Sequence, residues 1–284
     1  MDKSILHQSL TVFYRDEGPD DTPGHGNAPG INARAGDVLV LIHGFAEDGA
    51  IWDRQTEYLK KNHRLLVPDL PGSGRSSALP RETTMDELAD FIKAVLDAEA
   101  VGQAILIGHS MGGYITLAFA EKYPGRLKAF GFFHSTAYAD TEEKRSARRK
   151  GIEFIRNNGA ALFIKQSIPN LFAEGSRAEH SATITKLTDR YANIDPGSLI
   201  YYYRAMIDRP DRTETLKRTA LPVLFIIGGQ DPTIPVQSSL EQTHMPQLAL
   251  IHVLVASGHM GMLEEGAAGN AILEKFLLFL QQGY

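Results

Sequence analysis

The sequence has no cysteine and no apolar run long enough to cross a membrane. Without cysteine, disulfide bonds, thiolate nucleophiles and cysteine metal ligands are excluded, and this absence fits a reducing compartment. The longest apolar runs, such as residues 221–227, fall far short of the roughly 20 residues that a membrane-spanning helix needs. The first residues show neither the apolar core of a secretory leader nor a small-residue cleavage site. These absences predict a soluble, cytoplasmic protein.

The net charge of the sequence is also small. The formal net charge is −5 and the sequence pI is about 6.1, which argues against nucleic acid or an anionic membrane as the main partner. We therefore expect a small-molecule substrate, with a monomer or a homodimer as the working form. No group of histidines and carboxylates has the spacing of metal ligands, so neither a metal nor an organic cofactor is expected.

Short apolar runs alternate with helical patterns along most of the 284 residues. Continuous apolar runs are typical of strands buried in a parallel sheet, and strands that alternate with helices favour right-handed crossovers. A capping box from Thr84 to Glu87 opens one of the helices. The predicted fold class is α/β, with a mostly parallel central sheet flanked by helices. Strands are predicted at residues 9–14, 38–42, 65–67, 104–107, 129–133, 221–227 and 250–255.

The alternation stops between residues 136 and 219, where the sequence stays helical in character and contains no convincing buried strand. This segment predicts a helical insertion after the strand at residues 129–133, which is counted as the sixth strand of the expected fold. The core of the fold is then expected to comprise residues 1–135 and 220–284. A further stretch, Gly18–Gly36, is rich in Gly, Pro, Asp and Asn and is expected to be a loop without chemistry of its own.

The motif Gly108-His109-Ser110-Met111-Gly112 lies between a predicted buried strand and a predicted buried helix. Strand, sharp turn and helix are the setting of a nucleophile elbow, in which a serine is exposed at the carboxyl edge of the sheet. Side chains two residues before and after the serine would collide in such a turn, which explains the two glycines. We expect strained backbone geometry at Ser110.

Two other polar residues follow predicted strands. Asp231 comes after residues 221–227, and His259 comes after residues 250–255. Ligands of open α/β sheets bind outside the carboxyl ends of the strands, so these side chains and Ser110 are expected to meet there. A serine hydroxyl needs an imidazole to accept its proton, and that imidazole needs a carboxylate on its other nitrogen. The sequence therefore predicts a catalytic triad of Ser110, Asp231 and His259.

A triad of this kind also needs N–H donors for the developing oxyanion. The predicted donors are the backbone N–H groups of Met111 and Phe45. For His43 and His109, the favoured interpretation is structural, with hydrogen bonds to the backbone that hold loops in place. The candidates for lining the pocket are His43, His109, His134, Tyr138 and Met260.

One basic cluster lies early in the helical segment, with Glu142 and Glu143 beside it. We interpret the cluster as a solvated helix face, and the alternative is a surface that attracts an anionic substrate. Its members are Lys144, Arg145, Arg148, Arg149 and Lys150.

The motifs together resemble the serine-nucleophile branch of the α/β-hydrolase fold superfamily. They are His43-Gly44-Phe45, the run from Asp69 to Ser76, Gly108 to Gly113, Gly229-Gln230-Asp231 and Gly258-His259. The resemblance implies that residues 136–219 form a helical cap over Ser110, with the substrate pocket between cap and core. Since the elbow carries a serine, the resemblance excludes the haloalkane dehalogenases and epoxide hydrolases, which carry an aspartate there.

The resemblance implies a serine hydrolase that cleaves a small to medium ester or related acyl compound through an acyl-enzyme. Several alternatives keep the same triad and stay open. They are a hydrolase of carbon–carbon bonds, a perhydrolase without cofactor, and a receptor that binds a ligand without turnover. These motifs do not indicate which length of acyl chain the protein would prefer.

Overall fold

The computed structural model describes residues 1–19 and 37–283. These residues form an eight-stranded sheet with the strand order β1-β2-β4-β3-β5-β6-β7-β8. The predicted loop Gly18–Gly36 lies outside the described residues except for its first two positions. The strands are β1 (Asp2–His7), β2 (Leu10–Glu17), β3 (Val38–Ile42), β4 (Arg64–Pro68), β5 (Ala104–His109), β6 (Leu127–Phe133), β7 (Val223–Gly228) and β8 (Ala249–Leu254).

Six of the eight strands, β3 to β8, run parallel to one another. Strand β2 pairs in antiparallel fashion with β1 on one side and with β4 on the other. The α/β class and the mostly parallel sheet are thus confirmed. The sequence did not predict β1, which forms a hairpin with β2. Its turn places Gln8 at φ 49° and Ser9 at φ 65°. Two successive positive φ angles usually carry Asn-Gly or Asp-Gly, so the usual sequence signal of this hairpin is missing.

Helices connect the strands and cover the sheet. The capping box at the start of α2 is present, because Thr84 Oγ1 accepts from the Glu87 N–H and the Glu87 carboxylate accepts from the Thr84 N–H. The helices are α1 (Asp53–Leu59), α2 (Met85–Ala98), α3 (Met111–Lys122), α4 (Glu142–Asn158), α5 (Ala160–Ser167), α6 (Ser181–Tyr191), α7 (Pro196–Asp208), α8 (Thr213–Arg218), α9 (Val236–Leu240), α10 (Gly261–Glu264) and α11 (Gly266–Gln281).

The sheet separates two apolar clusters, because successive side chains of a strand point to opposite faces. Val38, Val40 and Ile42 belong to one cluster together with α2 and α3. Leu39 and Leu41 belong to the other, together with α1 and α11. Strands buried on both faces lose their alternation of polar and apolar residues, which is why β3, β5 and β7 read as continuous apolar runs.

Residues 136–219, all of which are described, contain helices α4 to α8 and no strand, as the sequence predicted. They follow β6 and precede β7. Hydrogen bonds join this segment to loops of the sheet: Tyr202 Oη donates to the Pro71 carbonyl over 2.5 Å, and Arg190 Nη2 lies 2.6 Å from Asp48 Oδ2. In the described ranges, no helix has the length and apolarity needed to span a bilayer.

Candidate active site

Ser110 lies between β5 and α3 in the backbone geometry expected of an elbow. Its φ is 49° and its ψ is −115°, a conformation that costs a non-glycine residue about 1–3 kcal/mol. A Cβ atom on Gly108 would lie 2.2 Å from the carbonyl carbon of Gly112. A Cβ atom on Gly112 would instead meet the Ile42 carbonyl oxygen at 2.4 Å. The second glycine is therefore required by strand β3 rather than by the turn itself.

The carboxylate of Asp231 and the imidazole of His259 form a buried hydrogen bond, with 2.8 Å between Asp231 Oδ2 and His259 Nδ1. The other carboxylate oxygen, Oδ1, accepts from the N–H groups of Thr233 and Ile234 at 2.7 and 2.9 Å. Burial alone would raise the pKa of Asp231, but the neighbouring rings of His259 and His134 hold that pKa well below its usual range. Asp231 is therefore an ionised acceptor that fixes the orientation of the His259 ring.

A second histidine, His134, lies behind the same carboxylate at the end of β6. Its Nδ1 is 3.6 Å from Asp231 Oδ2, too long for a hydrogen bond, and neither ring nitrogen has a hydrogen-bond partner among the described residues. Burial lowers the pKa of His134, which favours the neutral ring. Gly228 and Gly261 leave the room for this ring, since a Cβ atom on either would approach it within 2.7 or 2.3 Å.

Beneath the elbow, His109 and Glu47 form a fully buried pair. His109 Nδ1 lies 3.0 Å from Glu47 Oε2, and His109 Nε2 lies 3.0 Å from the carbonyl oxygen of His259. Both partners are acceptors, so both ring nitrogens must donate and the ring is an imidazolium. Burial opposes this charge, but Glu47 raises the pKa of His109, and His109 in turn lowers the pKa of Glu47 against the effect of burial.

The two predicted oxyanion donors lie on segments that touch. Met111 is the first residue of α3, so its N–H has no acceptor within the helix. The loop after β3 packs against the elbow, because a Cβ atom on Gly112 would lie 2.7 Å from the His43 carbonyl oxygen. In the described part of the chain, the Phe45 N–H has no hydrogen-bond acceptor. Both amides are thus available to a ligand.

Ser110 and His259 line one cavity of about 200 Å³, which the sheet edge and the inserted helices enclose. This volume is below the roughly 300–1,000 Å³ of pockets for drug-sized ligands, so the cavity fits a small compound. Its lining is mostly apolar. The lining residues are Phe45, Ala46, Glu47, His109, Ser110, Arg148, Phe163, Ile164, Ser167, Ile168, Leu171, Leu187, Tyr191, Tyr203, Met206, Thr233, His259 and Met260.

Two of the five predicted lining residues, His109 and Met260, belong to this cavity, and the other three do not. His43 is buried, its Nδ1 donating to the Gly44 carbonyl and its Nε2 accepting from the Leu70 N–H. His134 is enclosed behind Asp231. The half-buried Tyr138 lies in the link from β6 to α4. The prediction of lining is thus corrected for these three, while the structural interpretation of His43 is confirmed.

Sequence reasoning missed two charged residues of the cavity, Glu47 and Arg148. The solvated interpretation of the basic cluster suits the exposed Arg149, but the Arg148 side chain is only 17% exposed and lines the cavity. The sequence did contain a signal for Arg148, because it lies four residues before Ile152 and seven before Ile155. Residues at this spacing share one helix face, and both isoleucines are buried. Glu47 had no comparable signal, because its partner His109 lies on a different element.

No group of three or more His, Asp or Glu residues that could hold a metal ion occurs within residues 1–19 and 37–283. The polar atoms that line the cavity belong to the side chains and backbone amides already named. They provide a hydroxyl, an imidazole and an ionised carboxylate in a single region, which is the set that nucleophilic acyl transfer requires.

Comparisons with known proteins agree with this fold. A family model described as alpha/beta hydrolase fold matches residues 37–266. The chain is 28% identical over 256 residues to the dihydrolipoyllysine-residue acetyltransferase component of an acetoin cleaving system from Pseudomonas putida. That match covers 89% of this chain but only 65% of the relative, so the chain spans less than two thirds of that protein's length.

Two further proteins match over nearly the whole chain. The 3-oxoadipate enol-lactonase 1 of Acinetobacter baylyi is 25% identical, and the match covers 96% of both chains. The solved structure of a thermophilic esterase from Thermogutta terrifontis, with malate bound, superposes with a TM-score of 0.87 at 26% identity and covers 99% of both chains. Hydrolases are thus among the relatives of this chain at full length.

Proposed function

Because the chain belongs to the alpha/beta hydrolase fold family, we propose that it is a serine hydrolase that cleaves a small carboxylic ester or lactone. The observation that carries the proposal is the His259–Asp231 hydrogen bond of 2.8 Å beside a cavity that Ser110 and His259 both line. The similarity to an esterase and to an enol-lactonase over nearly the full length supports an ester bond as the target.

In the proposed reaction, Ser110 Oγ bonds to the acyl carbon while its proton moves to Nε2 of His259. Nε2 is the nitrogen that can accept this proton, because Nδ1 is already hydrogen-bonded to Asp231. The carbonyl electron pair forms an oxyanion, which returns to a carbonyl as the alcohol leaves with the proton from His259. Water, deprotonated by His259, then attacks the acyl-enzyme and releases the carboxylic acid and the serine hydroxyl.

The N–H groups of Phe45 and Met111 are proposed to bind the oxyanion, a contribution of about 3–4 kcal/mol for each donor in related chemistry. Asp231 holds the imidazole in one orientation and stabilises its charged form. Residues 136–219 are proposed to act as a cap, since helices α5 to α7 supply most of the apolar wall of the cavity and α4 supplies Arg148. Burial of the ester in this cavity excludes bulk water before acylation.

The test is the hydrolysis of a series of para-nitrophenyl esters from acetate to octanoate by the wild type and Ser110→Ala. We expect the substitution to lower kcat by at least about 10⁴-fold, because nucleophile and proton donor are lost together. Ser181→Ala, at an exposed position at the start of α6, is the matched control and should keep wild-type rates. Undiminished turnover by Ser110→Ala would refute the assignment.

A further inference from the structure

Arg148 brings a positive charge to the wall of an otherwise apolar cavity. It projects from α4, and its side chain is 17% exposed. Its Nε and Nη2 donate to the two carboxylate oxygens of Asp140, at 2.5 and 3.3 Å. Among the described residues, Nη1 of Arg148 has no hydrogen-bond acceptor. One edge of the guanidinium is therefore free to donate to a bound molecule.

Asp140 does not neutralise this arginine, because a second arginine shares it. Arg209 Nη1 lies 2.9 Å from Asp140 Oδ1, and its guanidinium also stacks on the Tyr114 ring at 3.8 Å. One buried carboxylate thus faces two guanidinium groups, which leaves a net charge of about +1 on the cluster.

No other acidic group of the cavity compensates for this charge. Within the described lining, Glu47 is the single acidic residue, and it is already paired with His109. The Tyr203 ring lies 5.8 Å from the Arg148 guanidinium carbon, and burial raises the pKa of Tyr203 to about 12, so the phenol stays neutral. A buried cation without a full counter-charge is costly unless a ligand supplies one.

We propose that the substrate is an ester of a dicarboxylic acid whose second carboxylate is ionised and is bound by the free edge of Arg148. This inference rests on the proposed function and names its substrate class. Arginine suits a carboxylate because its planar N–H groups match the two oxygens. The apolar side chains between Arg148 and Ser110 would then contact the short aliphatic chain that links the two carboxyl groups.

The test compares two esters of nearly equal shape, monomethyl glutarate and methyl valerate, by methanol release. We expect the wild type to favour the anionic ester in kcat/KM, and the ratio between the esters to fall at least about tenfold in Arg148→Gln. The control is Arg149→Gln, whose side chain is 52% exposed and pairs with Glu142. It should keep the wild-type ratio.

Arg148→Gln is expected to fold, because Asp140 keeps Arg209 as its partner. Arg148→Lys adds a second variant that retains the charge, and it should keep most of the preference for the anionic ester. A wild-type enzyme that hydrolyses both esters equally would overturn the inference and leave the serine hydrolase intact.

Calorimetric titration with glutarate tests the anion site without turnover. Binding that weakens at least about tenfold in Arg148→Gln, but not in Arg149→Gln, supports the carboxylate site of the inference. This result would stand even if Ser110→Ala kept full turnover, the outcome that refutes the proposed function. Equal glutarate binding by the wild type and Arg148→Gln, or no binding by either, would refute the inference.

Discussion

At the scale of the residue, several positions around the site have backbone angles that are unusual for residues other than glycine. Ala46, Ser110 and His134 all have positive φ, and each lies in a loop that follows a strand at the carboxyl edge of the sheet. Each of these residues is held there by its surroundings against an intrinsic cost of about 1–3 kcal/mol. At Gly108, the neighbouring backbone leaves no room for a side chain.

Gly108→Ala should lower the free energy of unfolding by about 3 kcal/mol, because its Cβ atom would lie 2.2 Å from the backbone of Gly112. Backbone on both sides of the clash cannot move without displacing Ser110. Gly102→Ala is the control, since nothing lies within 4 Å of its Cβ position. Urea denaturation measures both. Equal stability of the two variants would contradict the close packing at the elbow.

At the scale of the element, the Glu47–His109 pair joins three segments that are far apart in sequence. Glu47 Oε2 accepts from the Gly44 N–H over 2.7 Å, His109 ends β5, and the His109 ring reaches the carbonyl of His259. The loop of the proposed oxyanion donor Phe45, the elbow strand β5 and the loop of the proposed general base are thus connected by one carboxylate and one imidazolium. The relative placement of these three segments therefore depends on the protonation states of Glu47 and His109.

Glu47→Gln should lower the free energy of unfolding by about 3 kcal/mol, and the loss should depend on pH. The pKa of His109 is raised above 6.5, so its contribution is complete below pH 6.5 and disappears as the pH rises through the raised value. The pKa of Glu47 is lowered below 4.5, so its contribution is complete above pH 4.5 and disappears as the pH falls through the lowered value.

The difference in unfolding free energy between the wild type and Glu47→Gln should therefore be largest between pH 4.5 and 6.5. Urea denaturation across this range and on both sides of it measures the profile. Glu153→Gln, on an exposed surface pair with Arg156, should change stability little at any pH. A pH-independent difference for Glu47→Gln would show that the buried pair is not ionised.

The local elements of this fold could be predicted from sequence, and so could the meeting of Asp231 and His259, because both follow parallel strands. Other contacts between distant elements could not. The strand, turn and helix around Ser110 occupy consecutive residues, so their pattern is visible without a structure. The counter-charge of Arg148 is shared with Arg209, and the ionisation of His109 depends on Glu47. Such pairs form only when separate elements pack together, and no periodicity records them.

At the scale of the whole molecule, the inserted helices are held to the sheet by a few buried polar contacts in addition to apolar packing. Tyr202 on α7 is fully buried, and its hydroxyl donates to Pro71 in the loop after β4. Arg212, just before α8, is buried and pairs with Asp86 on α2 and Glu121 on α3. These contacts attach the inserted helices to the part of the fold that carries Ser110.

Tyr202→Phe should lower the free energy of unfolding by about 1–2 kcal/mol, because the buried Pro71 carbonyl loses its donor over 2.5 Å. Tyr201→Phe is the matched control on the same helix, since its hydroxyl has no hydrogen-bond partner among the described residues. Chemical denaturation of both variants measures the difference. Equal effects would mean that the hydroxyl of Tyr202 adds nothing to the attachment of α7.

The N–H of His259 donates to the carbonyl oxygen of Leu171 over 2.7 Å, a main-chain link between the loop of the proposed general base and the inserted segment. The Glu264 carboxylate adds a second link, since it accepts from the N–H groups of Gly258 and Ala173. Side-chain substitutions at His259 or Leu171 leave both atoms of the main-chain link in place. Helices that replace this segment in protein engineering, to reshape the cavity for a new substrate, therefore have to reproduce this main-chain acceptor. A graft that omits it removes one support of His259 while leaving the side chains of Ser110, Asp231 and His259 intact.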